Sequence, residues 1–173
     1  VFAAPTLSAS SLEFRIMPSS HAWDGRYNNN GWLMECPDPM TKVTWDNVIS
    51  ISPKLAKSLG ITPDPIMMDR LGQLHINANT FQNGREVARM AKLTVNGTTI
   101  EGPLHIQPGL ADYTLVLTLG FGRSKTGRIG TRLHNPGKGE GIGFNVYPFV
   151  TTASPAVRTG GKLELLDQTY LLA

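Results

Sequence analysis

The amino-acid sequence predicts a mainly β domain of barrel or sandwich type with few, short helices. Many short runs of β-forming residues alternate with turn signals, which is typical of closed or two-layered β architectures. One of those signals, Asn96-Gly97, is the strongest short-range indication of a hairpin. A length of 173 residues fits one domain that buries about 70% of its unfolded surface.

The first 42 residues hold one predicted strand and a long irregular segment. Residues 1–11 are small and rich in Ser and Ala, which predicts a tether, and residues 12–16 alternate apolar with charged side chains, which predicts a strand. Residues 18–42 contain three tandem Asn, two Trp and three Pro. Loops of this length are usually functional or packed against something, and Trp23 and Trp32 favour packing. Docking to a partner, packing within the loop and stacking on a planar ligand are the interpretations kept for these aromatic residues.

A short helix is bracketed at both ends. Ser52 can accept a hydrogen bond from an early helical N–H, Pro53 has a preset φ, and Gly60 can adopt the left-handed conformation that ends a helix. Leu55, Leu59 and Ala56 would form its apolar face. A turn over residues 62–65 and a second helical piece over residues 66–71 are predicted to follow.

The second half of the chain reads as β structure. Residues 73–88 are rich in Asn and Gln and show no clear pattern. The predicted strands beyond them are residues 91–95, 98–101, 104–107, 113–119, 143–150 and 162–166. The run over residues 113–119 is the longest in β-forming residues, so we expect it to lie centrally in the sheet.

Composition excludes several classes of function. The net charge is +3 and only 17% of residues are charged, without the basic helix or aromatic-basic sheet that nucleic acid requires. The single thiol, Cys36, permits neither an internal disulfide nor a four-thiolate iron–sulfur cluster. No apolar run approaches the ~20 residues of a membrane span. A surface so poor in charge fits either coverage by other domains or a neutral, Ser/Thr/Asn-rich β surface.

A glycine-rich stretch over residues 120–145 is cationic. Glycines permit close backbone approach to a ligand, and a positive loop can hold an anion. The spacing of Gly122 and Gly127 resembles a P-loop, but Arg128-Ile129 replaces the Lys-Ser/Thr that would contact phosphate and magnesium. A solvated or interface loop and a site for a charged partner or cofactor both remain open. The charged residues of this stretch and its histidine are Arg123, Lys125, Arg128, Arg132, His134, Lys138 and Glu140.

The combined motifs resemble one protein family over residues ~15–173. The segment Thr44-Trp45-Asp46-Asn47 followed by the Ser-Pro-capped helix resembles the C-terminal domain of molybdopterin oxidoreductases. The flanking motifs are similar to the large iron–sulfur and molybdopterin-like subunit of alternative complex III, a bacterial quinol-oxidising membrane complex. Those motifs are His21 to Tyr27, Asn29 to Leu33, Pro37-Asp38-Pro39, Thr41-Lys42, Ile106 to Gly109, Leu119 to Arg123 and Gly141 to Asn145.

The resemblance implies a double-psi β-barrel of the aspartate decarboxylase-like, formate dehydrogenase C-terminal-like type. It would cover residues 12–173 as a single domain resembling those that bind molybdopterin dinucleotide. Because the chain begins at Val1 rather than Met, the simplest expectation is a fragment of a larger polypeptide.

Two functions follow from the resemblance. In the first, the domain is a non-catalytic structural part of an electron-transfer subunit and binds no cofactor, with iron–sulfur clusters elsewhere in the parent chain. Its partners would be neighbouring domains of the same polypeptide and membrane and cytochrome subunits, at the extracytoplasmic (periplasmic) face of the bacterial cytoplasmic membrane. Nucleic acid and a direct membrane span are not expected.

In the second function, the domain binds a molybdopterin guanine dinucleotide in a molybdenum oxidoreductase. The resemblance then places the guanine end at Thr44, Asp46 and Asn47, with Gln107, Arg123 and Asn145 completing the half-site. The competing interpretation is that Asp46 or Asn47 binds nearby backbone amides and that Trp45 lies in the core. No catalytic or metal-binding residue is predicted in either case, and a free-standing sugar- or anion-binding β-module is a third interpretation.

Overall fold

Six strands of the computed structural model close into a β-barrel. The structure describes residues 6–61, 67–68, 74–75, 81–82, 85–125, 142–152 and 156–172. Around the barrel the order is β6-β7-β2-β8-β1-β9, and β9 pairs with β6 to close it. The strands are β1 (Leu12–Met17), β2 (Ile49–Ile51), β3 (Met67–Met68), β4 (Leu74–His75), β5 (Phe81–Gln82), β6 (Arg85–Val95), β7 (Thr98–Ile106), β8 (Thr114–Thr118) and β9 (Val157–Leu171).

Two strand pairs of the barrel are parallel and the rest are antiparallel. β1 runs parallel to β8, and β2 runs parallel to β7. β5 extends the barrel wall by pairing with β6, while β3 and β4 form a separate two-stranded sheet. The expected mainly β barrel is therefore present. β8 lies between β1 and β2, but in a closed barrel every strand has two neighbours, so no strand holds the central position predicted for residues 113–119.

The Asn96-Gly97 hairpin is confirmed. Both turn residues have positive φ, +47° and +80°, which is the combination a type I′ turn needs. Val95 pairs with Thr98 across the turn, and the register continues without a break to Met90 and Pro103. The predicted segment 104–107 is the continuation of this second arm and not a separate strand.

The barrel interior is filled by alternate residues of its strands. Leu12 and Phe14 of β1 and Leu115 and Leu117 of β8 are fully buried, as the two-residue period of a strand requires. Phe149 closes one side of this core with its ring centroid 5.4 Å from that of Phe14. Side chains between these positions on β8 therefore project from the outer face of the barrel.

Two α-helices, α1 (Gly31–Glu35) and α2 (Pro53–Ser58), lie in the described ranges. The predicted caps of α2 are confirmed: Ser52 Oγ accepts from Leu55 N at 3.1 Å, and Gly60 has a φ of +72°. Leu55 and Ala56 are fully buried. Among the described helices, none is long and apolar enough to cross a membrane.

The segment predicted to be irregular between residues 18 and 42 contains α1. Asn30 begins this helix, because its Oδ1 accepts from Leu33 N at 3.4 Å. Of the interpretations kept for the two tryptophans, packing within the loop does not hold, because Trp23 is 52% exposed and Trp32 is 87% exposed; docking to a partner stays a prediction. Of the predicted tether, residues 6–11 include a hydrogen-bonded turn between Ser8 and Ser11, and residues 1–5 lie outside the described residues.

Two predicted elements have a different secondary structure from the one that the sequence predicts. Met67–Met68, predicted to be helical, pairs as a strand with Leu74–His75, because tertiary pairing overrides a short local pattern. The remainder of that predicted helix and the turn over residues 62–65 lie outside the described residues.

The strand predicted over residues 143–150 is absent from that segment, which the structure describes in full. Gly143 has a φ of +63°, and a 3₁₀ helix occupies Tyr147–Phe149. Asn145 Oδ1 accepts from Tyr147 N at 3.0 Å, and Pro148 has no N–H to give to a sheet. A side-chain-capped turn therefore replaces the ladder.

Candidate functional site

A cavity of about 620 Å³ lies against the outer face of the barrel. Ser50 of β2 and Val116 of β8 are register partners, and both lie between buried residues of their strands, so they face outward. The long segment that follows β1 supplies the opposite wall. The lining residues are Met17, Pro18, Ser19, Ser20, His21, Trp23, Met34, Asp38, Pro39, Met40, Thr41, Val43, Trp45, Asp46, Asn47, Val48, Ser50, Gln107, Leu110, Val116, Thr118 and Phe121.

The lining is largely apolar, and its formal charges are acidic. Methionine, valine, proline and aromatic side chains form most of the surface, while Asp38 and Asp46 are its acidic residues. No Lys or Arg is among the described residues that line it. The ionised carboxylate of Asp38 would favour uncharged or cationic groups over anions, because partial burial strengthens its interaction with a ligand.

Asn47 connects the cavity wall to a distant loop. Its Oδ1 accepts from Phe144 N at 2.8 Å, and its Nδ2 donates to Phe144 O at 3.0 Å and Thr118 O at 3.1 Å. The side chain is 3% exposed. One amide thus satisfies three backbone groups from two segments, and losing it would leave each of them without that partner.

Asp46 also binds the chain itself. Its Oδ1 accepts from Gly143 N at 3.2 Å and from the Tyr170 hydroxyl at 2.8 Å. The residue is 6% exposed. The predicted interpretation in which Asp46 and Asn47 satisfy backbone amides matches these bonds, although the amides belong to residues 143 and 144 and not to the nearby helix.

The other predicted site residues lie in different surroundings. Arg123 Nη1 donates to Asn29 Oδ1 at 2.8 Å and Asn28 Oδ1 at 3.1 Å, and burial lowers the pKa of its guanidinium. Asn145 is exposed and binds Tyr147 N, as described above. Thr44 is half-buried, and its carbonyl oxygen accepts from Asp46 N at 2.6 Å. None of Arg123, Asn145 and Thr44 is among the residues that line the cavity.

Gln107 does line the cavity, and its amide is only partly satisfied. Its Nε2 donates to Pro108 O at 3.4 Å, whereas Oε1 is buried and has no hydrogen-bond partner within the described structure. A buried carbonyl oxygen without a partner costs about 1–3 kcal/mol. A donor that reached this amide would remove that cost.

Asp38 keeps a negative charge at the cavity wall. Burial raises the pKa of this carboxyl, but hydrogen bonds from Thr41 N, Met40 N, Ser20 Oγ and Thr41 Oγ1 outweigh that effect, so the pKa is lowered overall. Its Oδ1 accepts from both backbone amides at 2.9 Å. The loop that covers the barrel is therefore organised around an ionised aspartate.

Two tryptophans at the cavity have strained backbones. Trp23 has a φ of +58° and Trp45 a φ of +62°, values that bulky residues rarely adopt. Trp45 N donates to Met34 O at 3.0 Å, which ties the residue to α1, and its side chain packs with Ala22 and Met34 in a small cluster outside the main core. Strain of this kind collects at binding sites, where the surrounding structure maintains it.

Glycines allow the loops beside the cavity to approach each other. A Cβ at Gly143 would overlap Asn47 Oδ1, and a Cβ at Gly122 would overlap the backbone nitrogen of Asn145. Both residues have positive φ. The close approach at these two glycines is therefore to the chain itself, and the predicted approach to a ligand stays a prediction.

Several residues of the site were missed at the level of sequence. Tyr170 lies in β9, far from Asp46 in the chain, and Val116 and Ser50 belong to strands whose outward faces no local pattern marks as a cavity wall. Five of the residues 18–42 that line the cavity belong to the motifs quoted above: His21, Trp23, Asp38, Pro39 and Thr41. The rest of the cationic stretch beyond Lys125, including Arg128, Arg132, His134, Lys138 and Glu140, lies outside the described residues.

No protein-family model matches the chain, and no curated protein matches it. The described residues contain no group of three or more His, Cys, Asp or Glu side chains that could hold a metal ion. The geometry of the site is therefore the basis for the function proposed below.

Proposed function

We propose that this chain is a domain of the molybdopterin oxidoreductase superfamily, closest to the large iron–sulfur subunit of alternative complex III. Its barrel would then be of the double-psi type. Closure by six strands with two parallel pairs, and the Ser52-Pro53 helix directly after β2, support this proposal. The resemblance of the motifs quoted above is the basis for the proposed family.

The proposed role of the domain is structural and non-catalytic. The observation that carries it is the use of Asp46 and Asn47 as internal connectors. Both side chains hold the segment over residues 143–144 against the barrel, with Asn47 bound to Phe144 on both its N–H and its C=O. Groups engaged in this way stabilise the fold and are withdrawn from recognition of a guanine edge.

The cavity's charge supports the same role. A dinucleotide cofactor carries a pyrophosphate, which is normally bound by cationic side chains or by backbone N–H groups. The cavity has Asp38 and Asp46 at its wall, and Arg123, the predicted cationic contact, is bound to Asn28 and Asn29 outside it. The six predicted cofactor residues thus do not fit a guanine dinucleotide as a set.

The proposed domain would hold its neighbours in register so that electrons pass between redox centres elsewhere in the complex. Neighbouring domains of the same polypeptide and the membrane and cytochrome subunits are the proposed partners, at the periplasmic face of the membrane. Exposed Trp32, Trp23, Tyr27 and Met40 offer apolar anchors of the kind that interfaces use.

The second candidate is a domain that binds molybdopterin guanine dinucleotide. One observation favours it: Asp46, Asn47 and Gln107, three of the predicted contacts, do line one cavity. When bound, such a cofactor would supply redox chemistry at molybdenum. This chain would contribute only polar contacts at the nucleotide end.

Metal and pterin analysis of the full-length protein separates the two candidates. We expect less than about 0.1 molybdenum and pterin per chain in the structural role. Near-stoichiometric molybdenum and pterin, lost in Asp46→Ala but kept in the surface control Asp112→Ala, would establish the second candidate instead.

The scaffold role has its own positive test. Trp32→Ser in the affinity-tagged full-length chain should reduce co-purifying haem at least about threefold, because interface aromatics carry much of the binding energy. Val157→Ser, which removes an exposed apolar side chain from β9, is the control. Unchanged haem recovery in Trp32→Ser, Trp23→Ser and their double variant would reject docking through this loop.

A further inference from the structure

The proposed structural role shares some residues with the cavity between the barrel and the segment after β1, but it assigns no ligand to the enclosed volume. Its volume of about 620 Å³ lies within the ~300–1,000 Å³ typical of small-molecule sites. Its wall combines apolar side chains with a few polar groups, which is also typical of such sites. The volume and lining of the cavity therefore fit a small molecule.

We propose that this cavity binds an uncharged or cationic, largely apolar aromatic molecule that carries an N–H or O–H donor. This inference does not depend on the family to which the chain belongs. It rests on three features of the described residues: the apolar lining, the sign of the charges, and the amide of Gln107.

The apolar lining provides the favourable transfer of the ligand from water. Val48, Val116, Leu110 and Met17, the last residue of β1, form part of the barrel side, and Met34 and Met40 lie on the side of the covering segment. Methionine is unbranched and polarizable, so it adapts to aromatic rings of different shapes.

The charges select against anions. Asp38 is an ionised acidic residue of the wall, and no Lys or Arg is among the described lining residues. An anionic ligand would meet this carboxylate in a partly desolvated site, whereas an uncharged or cationic ligand would not be repelled.

The amide of Gln107 supplies the polar contact. Its Oε1 is buried without a hydrogen-bond partner in the described structure, and its Nε2 makes only a long bond to Pro108 O. The terminal torsion of Gln is broad, so a small rotation can turn Oε1 toward a donor in the cavity. A ligand with an N–H or O–H would gain from this bond, and an isosteric ligand without one would not.

Two fluorescent probes that share one aromatic skeleton test the proposal with the full chain. N-phenyl-1-naphthylamine is uncharged and has an N–H, and 8-anilinonaphthalene-1-sulfonate adds an anionic sulfonate to it. We expect one site for the uncharged probe and at least about tenfold weaker binding of the sulfonate. Equal affinities, or tighter binding of the sulfonate, would overturn the charge argument and with it the proposal.

Variants place the probe in the cavity. Val116→Phe fills space on the outer face of β8 and should weaken binding of the uncharged probe at least about tenfold. Val157→Phe makes the same change at an exposed position of β9 outside the cavity and should leave the dissociation constant within about twofold. Equal binding by the two variants would overturn the proposal.

Gln107→Leu tests the polar contact at a half-buried position where the change is not expected to disturb the core. It should weaken binding of N-phenyl-1-naphthylamine about three- to tenfold. Displacement of the probe by 1-phenoxynaphthalene, which has an ether oxygen in place of the N–H, should change by less than about twofold. Equal effects on the two compounds would remove Gln107 as the acceptor and contradict the proposal as stated.

Discussion

Asn47 binds Phe144 on both sides of its backbone, accepting from its N–H at 2.8 Å and donating to its C=O at 3.0 Å. The side-chain amide therefore pairs with the main chain as a neighbouring strand would. It does so across 97 residues of sequence. This contact fixes the loop over residues 142–146 where a strand was predicted.

Asn47→Ala should be strongly destabilising. It leaves Phe144 N–H, Phe144 C=O and Thr118 C=O without the amide, and we expect a loss of about 3 kcal/mol in the free energy of unfolding. Urea denaturation measures it. The control Asn145→Ala removes one exposed bond to Tyr147 N and should cost less than about 1 kcal/mol. Equal losses in the two variants would contradict the role assigned to Asn47.

Gly122→Ala should destabilise far more than Gly60→Ala. Both glycines have positive φ, +87° and +72°. A Cβ at position 122 would overlap the backbone of Asn145, while one at position 60 has no atom within 4 Å. We expect losses of more than about 3 kcal/mol and of about 1 kcal/mol respectively. Thermal and urea unfolding give both values, and a similar cost at the two positions would show that φ alone sets it.

Ser52→Ala should weaken α2. Ser52 is fully buried and caps Leu55 N, so the expected loss is about 1–2 kcal/mol. Lys57→Ala, at an exposed position of the same helix, should stay within about 0.5 kcal/mol of the parent. Hydrogen exchange at Leu55 N reports the cap directly, and unchanged protection in Ser52→Ala would argue against it.

Asp38 should make stability depend on acid pH. Its pKa is lower in the folded protein than in the unfolded chain, so at acid pH the unfolded chain binds more protons and stability rises with pH. The contribution of Asp38 to the free energy of unfolding is present above the ordinary carboxyl pKa of 3.8. It is lost as pH falls through the lower pKa that Asp38 has in the folded protein. Asp38→Asn should flatten the acid limb of the unfolding free energy against pH.

The surface carboxylate of Asp112, paired with Lys54 at 2.8 Å, supplies the control for that measurement. Asp112→Asn should retain most of the acid limb, because exposed ion pairs contribute little. An acid limb of parental slope in Asp38→Asn would show that the loop's hydrogen bonds do not depend on the charge.

Local chemistry was enough to predict several elements. The Asn96-Gly97 turn and the Ser52 cap depend on residues next to each other in the chain, and both are as predicted. The alternation in residues 12–16 correctly gave β1, and the runs over residues 113–119 and 162–166 lie in β8 and β9. Each of these signals is complete within a few residues.

The candidate site was only partly predictable, because its contacts join residues that lie far apart in the chain. Asp46, Asn47 and Gln107 do share a cavity, but Arg123 and Asn145 have local partners outside it. No local sequence pattern predicts the hydrogen bond from the Tyr170 hydroxyl to Asp46. The sequence left open whether Trp23 and Trp32 pack within the loop or lie exposed, because an aromatic residue in a loop carries no information about which neighbours will cover it.

The sequence by itself determined several strands, including β1, β8 and the hairpin arms, where the hairpin turns and where the capped helix begins, because backbone preferences act over a few residues. Only the tertiary structure decided that β9 meets β6, that residues 143–150 form a turn, and that the segment after β1 encloses a cavity on the barrel's outer face. Those features depend on contacts between residues far apart in the chain. These contacts stabilise the protein only once the barrel has closed and their partners lie next to each other.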